Sequence, residues 1–265
     1  MGLYRVFFLL ILLLIGCPQT TLGVQKGKKK VVEIYVPEPD PLAVKARPHR
    51  IVAAIKEAPD PNSFHIQSRE GIDVSHYQGR IDWQKVAKET QISYAYMKAT
   101  EGASLVDDTY ARNMREARKV GLKVGSYHFY RANVSVEEQI ANMTSTVKAE
   151  QQDLLPLIDV EVKPKRISDQ KFIADLKRFL DAITKHYGRK PIIYTFYNFY
   201  NKHLVGQLHG YQWMIARYSE TEPVLSDGLS YSMWQYTSSG VVPGIAGDVD
   251  RSVIMDNYSL SEILF

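Results

Sequence analysis

The chain has 265 residues, enough for one ordinary domain or for one large α/β barrel with a tail. Of its formal net charge of +4, Arg5 supplies one unit and residues 24–68 the rest, and from Arg69 onward acids and bases balance to roughly zero, so the folded part lacks the basic field that nucleic acid needs. Cys17 is the only cysteine, which excludes an internal disulfide, and the histidines form neither a Cys/His cluster nor an HExxH spacing, so neither a zinc site nor any other cofactor is implied.

Residues 1–23 read as an export signal. An apolar run from Val6 to Ile15 follows Arg5; it is too short to span a bilayer and suits a signal-peptide core. Leu14-Ile15-Gly16-Cys17 resembles the box at which bacterial lipoproteins are lipidated, which would attach the chain to a membrane through Cys17. The alternative is an ordinary secretory signal cut near Gly23. Residues 24–68 carry the run Lys28-Lys29-Lys30 and prolines at 37, 39, 41, 48, 59 and 61. They read as a basic, proline-containing linker without chemistry of its own.

Residues 69–265 read as one catalytic domain. Apolar runs at Gly71–Ser75, Ser93–Ala99, Lys123–Phe129, Leu155–Val162, Pro191–Thr195, Gln212–Tyr218, Ser232–Tyr236 and Val249–Ile254 predict strands. Helices are predicted between them. Asp107 and Asp108 suit the start of one that stops at Gly121. Ser135 and Glu138 have capping-box spacing. Ser168 opens a third, with Phe172, Leu176, Phe179, Leu180 and Ile183 on one face and Gly188 as its stop. After Arg189 the strands crowd together and helices fade. Alternating strands and helices predict a parallel sheet, and this number of strands predicts a closed barrel with an irregular second half. Functional groups then belong at the carboxyl ends of the strands.

Asp159 and Glu161, in Leu157-Ile158-Asp159-Val160-Glu161, share one side of a strand that ends an apolar run. Two such close carboxyls cannot both ionise freely, so one becomes a proton donor near neutral pH, as glycoside hydrolysis requires. Equally, the pair can be strand-exit acids bound to loop amides or to Lys163. Asp73 ends the first strand and Asp250 lies in the last, and in a closed barrel these strands are neighbours. Lys98 and Glu101 fit an ion pair that holds a loop better than a Schiff-base lysine. Tyr77, Tyr127, His128, Phe129, Tyr194, Tyr218, Trp234 and Tyr236 crowd the same strand ends, with Gln235 among them. Collected around an acidic rim they would line a glycan groove, although strands favour aromatics anyway.

The stretches GIDVSHYQGRIDW from Gly71, KATEG from Lys98, GSYHFYR from Gly125, LIDVEV from Leu157, IIYT from Ile192 and MWQYTSSG from Met233 into GIAGDVD resemble, in this order, glycoside hydrolase family twenty-five, the muramidases. The resemblance spans about residues 71–258. It implies an irregular TIM-like (β/α)-barrel of about five β/α units followed by three strands with few helices. It also implies an enzyme that cuts the β-1,4 bond between N-acetylmuramic acid and N-acetylglucosamine in peptidoglycan; the amino-terminal signal would export it, and a monomer is the default expectation. By the same resemblance Glu161 is the general acid and Asp159 steadies the substrate's own 2-acetamido group as it attacks, with retention. Asp73 and Asp250 tune the pair, while direct attack by a carboxylate stays open. Arg251 and Ser252 depart from the family's usual hydrophobic residue and Asn after the last acid.

Three other readings stand beside this one. A chitinase-like hydrolase would extend its acids backwards, where Leu155 and Leu157 stand. A silent glycan-binding protein would have no need of all four acids. A metal-dependent barrel hydrolase would want a histidine cluster.

Overall fold

The computed structural model describes residues 69–265, so the export signal, the Cys17 box and the linker lie outside the described residues. The strands are β1 (Glu70–Val74), β2 (Ile92–Glu101), β3 (Leu105–Val106), β4 (Lys123–Phe129), β5 (Leu157–Asp159), β6 (Ile192–Phe196), β7 (Gln212–Ala216), β8 (Met233–Gly240) and β9 (Val249–Ile254). β1 pairs with both β2 and β9, which closes the sheet into an eight-stranded barrel; the two-residue β3 only folds back on the end of β2. All eight strands predicted from sequence are present.

Among the eight barrel strands, the expectation of a parallel sheet fails at one. β9 runs antiparallel to both β8 and β1. The cause is length: only residues 241–248 join β8 to β9, whereas a parallel return needs a crossover of about a dozen residues or more.

The helices fade along the chain, as expected. They are α1 (Trp83–Val86), α2 (Tyr110–Lys119), α3 (Val136–Thr146), α4 (Asp169–Tyr187) and the single turn α5 (Tyr197–Phe199), which runs into a π-helical turn at Tyr200–Leu204. Ser135 and Ser168 cap α3 and α4 by accepting the Glu138 and Lys171 backbone N–H groups at 3.3 and 3.2 Å. Gly188, at φ 71°, ends α4 in the left-handed conformation that glycine adopts without strain. The predicted apolar face of α4, from Phe172 to Ile183, is buried against the barrel. α2 starts later than Asp107 suggested, because that carboxylate turns back to accept the Thr109 backbone N–H at 2.9 Å and its hydroxyl at 2.6 Å.

Side chains alternate across the strands into two cores. The outer one lies between sheet and helices, and the inner one fills the barrel with residues that include Tyr94, Tyr96, Leu157, Ile192, Met214 and Met233. The Tyr94 and Tyr96 rings occupy space left by two glycines. A Cβ on Gly71 would stand 2.1 Å from the Tyr94 ring, and one on Gly125 would stand 2.5 Å from the Tyr96 ring. These glycines head two of the quoted sequence stretches, and their role is to admit large side chains into the barrel. Leu154 and Ile263 belong to the same inner core, where the Leu155 N–H donates to the Ile263 carbonyl at 2.8 Å.

Candidate active site

Alternation decides which side chains enter the barrel mouth. In β1, Ile72 and Val74 belong to the outer core, so Asp73 faces inward. In β5, Ile158 faces out and Leu157 in, which sends Asp159 inward; beyond the strand Val160 packs outside and Glu161 returns inside. In β9, Val249 packs outside and Asp250 turns in. Because β9 is antiparallel, Asp250 lies near its start, directly opposite Asp73 on β1. The four acids therefore gather at one rim, although two of them come from strands of opposite direction.

A polar seam crosses the rim beside them. Tyr194 and Tyr218 donate to Gln235 Oε1 at 2.8 and 3.1 Å, and Gln235 Nε2 donates to Asp73 Oδ2 at 3.2 Å. Tyr127 completes the inner wall from β4. Burial holds the Tyr127 and Tyr194 phenols well above their ordinary range, and nearby carboxylates push the same way. They remain neutral hydroxyl donors.

All four carboxyls are shifted upward. Burial, then the charge of Asp250, raises Asp73 to about 8, against the bond from Gln235. Burial raises Asp250 to about 6. Burial raises Glu161 to about 7, opposed by its bond with Asp159 and by the charges of Arg131 and Lys98. Burial, then the charge of Glu161, holds Asp159 well above the usual carboxylate range. Asp159 Oδ1 is buried and has no hydrogen-bond partner among the described residues.

The sequence profile described as "Glycosyl hydrolases family 25" matches residues 72–245. The chain belongs to this family. As a family-25 barrel it is a glycoside hydrolase, with the fold that the sequence blocks implied. It is 38% identical over 197 residues to the uncharacterized protein YegX of Escherichia coli K12, covering 73% of this chain and 71% of that one. It is 34% identical over 190 residues to the autolytic lysozyme of Clostridium acetobutylicum, covering 72% and 56%. The solved bacterial lysozyme of Streptomyces coelicolor matches it with TM-score 0.66 at 30% identity, over 74% of this chain and 95% of that one.

Not every aromatic singled out in the sequence reaches the mouth of this family-25 barrel. His128 and Trp234 are corrections: each neighbours an inward residue, Tyr127 or Gln235, so strand alternation turns it outward. His128 is fully buried, bonded to Thr100 Oγ1 at 2.7 Å and stacked on Phe179. Burial lowers it to about 4, so it is neutral at physiological pH. Trp234 packs in the outer core and donates to the Arg217 carbonyl at 2.9 Å. Tyr77 is 81% exposed on a 3-10 turn just past β1, with its ring 4.1 Å from His76. It stands apart from the acids' hydrogen-bonded seam.

The Lys98–Glu101 ion pair is present at 2.5 Å, and Arg131 joins it from beyond β4, with Nε 2.9 Å from the other Glu101 oxygen. Sequence reading missed Arg131, whose one visible signal is that it closes the GSYHFYR stretch. It also missed the bond from the His76 backbone N–H to buried Asp107 at 2.9 Å, which ties the β1 exit to the loop before α2.

The raised acids set a direction for stability. A carboxyl whose folded pKa exceeds its unfolded value binds protons more tightly when folded, so stability falls as pH rises between the two. For Asp73 that window runs from 3.8 to about 8. Asp73→Asn is expected to unfold at a higher urea concentration than the parent at pH 8, with the difference shrinking towards pH 4. An equal difference at both pH values would contradict the assignment.

Proposed function

We propose that this family-25 barrel cuts the β-1,4 bond between N-acetylmuramic acid and N-acetylglucosamine in peptidoglycan, with retention through the substrate's 2-acetamido group. One observation carries the reading: Asp159 and Glu161 lie two residues apart on the inner face at the end of β5, and the first has a buried oxygen without a donor. Glu161, raised to about 7, holds a proton for much of its time at neutral pH and gives it to the glycosidic oxygen as the bond breaks. Asp159 Oδ1 accepts the acetamido N–H, which orients the acetamido carbonyl oxygen towards the anomeric carbon. That oxygen bonds to the carbon as the leaving sugar departs, giving an oxazolinium. Water then adds to the anomeric carbon, its proton passes to Glu161, and the ring reopens. Asp250 keeps a charge at neutral pH while Asp73 stays protonated on Gln235. Tyr127, Tyr194 and Tyr218 bound the sugar.

Digestion of purified peptidoglycan by the protein, followed by mass spectrometry, tests the reading. Fragments with reducing N-acetylmuramic acid ends are expected. No release from the walls of several bacteria would move the assignment to a glycan-binding protein or to another glycan.

The same proposal has the enzyme act outside the cytoplasm as a monomer; the Leu14–Cys17 box in the sequence supports a tether through lipidated Cys17. Cys17→Ser is expected to leave the membrane fraction for the soluble one. Unchanged membrane retention would count against lipidation.

A further inference from the structure

Lys98 is buried inside the barrel mouth, its side chain 8% exposed, and it makes a 2.5 Å ion pair with Glu101. In a regular strand, residues three apart point to opposite faces, so these two should never meet within the barrel. The register of β2 on β4 breaks between Lys98 and Thr100. Ala99 packs in the outer core and Thr100 bonds to outward-facing His128. Two successive residues thus face out, and Lys98 and Glu101 both face in. A bulge of this kind disrupts the ladder and persists where it aims a side chain. Here it aims an acid at a buried lysine, at the level where Glu101 pairs with Phe129 and Phe129 with Asp159. Lys98 Nζ stands 5.4 Å, and the Arg131 guanidinium carbon 4.2 Å, from the centre of the Phe129 ring, so two cations flank the side chain beside the acid pair.

We propose that Lys98 is a positioning residue for the Asp159–Glu161 pair, its ammonium fixed inside the mouth by the β2 bulge, with Glu101 as the counter-charge that limits how strongly Lys98 and Arg131 act on the pair. The inference rests on the proposed roles of Asp159 and Glu161 and goes beyond holding a loop. The charged groups around the pair are Asp73 from β1, Lys98 and Glu101 from β2, Arg131 after β4 and Asp250 from β9. The phenols of Tyr127, Tyr194 and Tyr218 complete the surround and stay neutral. Lys98 favours the charged forms of both Asp159 and Glu161, and Arg131 favours that of Glu161. Removing Lys98 therefore makes Glu161 hold its proton more tightly. Removing the Glu101 charge leaves both cations uncompensated and has the opposite effect. A merely structural clamp would not give effects of opposite sign.

The test follows carbon-13-labelled glutamate carboxyls by NMR across pH in the full chain, with the Glu161 signal assigned by its loss in Glu161→Gln. The pH profile of peptidoglycan release is measured in parallel. In Lys98→Met the Glu161 midpoint and the alkaline limb of the profile are expected to move up by roughly one pH unit. In Glu101→Gln both are expected to move down, and Lys98→Arg is expected to stay near the parent. If Lys98→Met does not fold, Arg131→Gln supplies the upward arm. Midpoints that stay put in folded variants, or that move the same way in Lys98→Met and Glu101→Gln, would overturn the inference. A parent that titrates as expected but releases nothing from peptidoglycan would instead overturn the proposed reaction.

Discussion

Glu161→Gln is expected to lower peptidoglycan release by about 10²–10⁴-fold, the usual worth of a positioned proton donor, while making the fold more stable at alkaline pH. Glutamine keeps the shape and removes the titrating proton. The residual activity comes from Asp159 and from sugar binding, which the change leaves in place. The stability arm has a sign of its own. Burial raises the Glu161 carboxyl from 4.5 to about 7, so the folded state loses stability as pH rises through that interval. The thermal midpoint of Glu161→Gln should exceed that of the parent at pH 8 and approach it near pH 5. A variant that keeps full activity would remove Glu161 from the chemistry. One that is inactive but less stable at pH 8 would mean that the carboxyl is held by favourable contacts rather than crowded by its neighbours.

Tyr96→Ala is expected to cost about 3–5 kcal/mol of unfolding free energy, as large-to-small changes of buried aromatics do. The Tyr96 ring is fully buried inside the barrel over Gly125, and its hydroxyl donates to the Leu155 carbonyl at 3.0 Å. Glycine offers no side chain to close the void. Tyr96→Phe separates the two contributions. It keeps the ring and loses one hydrogen bond, so it should cost about 1 kcal/mol. Urea unfolding of both variants gives the comparison. Similar losses in the two would mean that the Leu155 bond, not the packing, holds the inner core together.

Much of this was legible in the sequence because two periodicities carry it. The three-to-four-residue spacing of Phe172, Leu176, Phe179 and Ile183, between Ser168 and Gly188, specified α4 from end to end. The two-residue spacing of Asp159 and Glu161 put both carboxyls on one side of β5. The same rule, applied strictly, separates Tyr127 from His128 and Gln235 from Trp234; grouping aromatics by nearness in sequence mixed inward with outward residues. Where the rule itself breaks, sequence fails for a physical reason. Alternation sets Lys98 and Glu101 on opposite faces, and only the bulge reunites them. The direction of β9 was hidden likewise: its residues are those of any half-buried strand, and only the short connection from β8 makes it antiparallel. Asp250 was placed at the right rim as a strand-end acid, whereas it lies at the start of its strand.

That reversed strand also decides where the domain is joined to the rest of the chain. β1 climbs towards the mouth and β9 descends from it, so the two ends of the domain meet at the floor. There the Ile254 N–H donates to the Arg69 carbonyl at 2.8 Å, and the Arg69 side chain bonds to Asp256 and to the Met255 and Tyr258 carbonyls. A pull arriving at Arg69 falls on this buckle of bonds rather than on the acids, which lie at the opposite pole of the barrel, so tension on the chain spares the mouth.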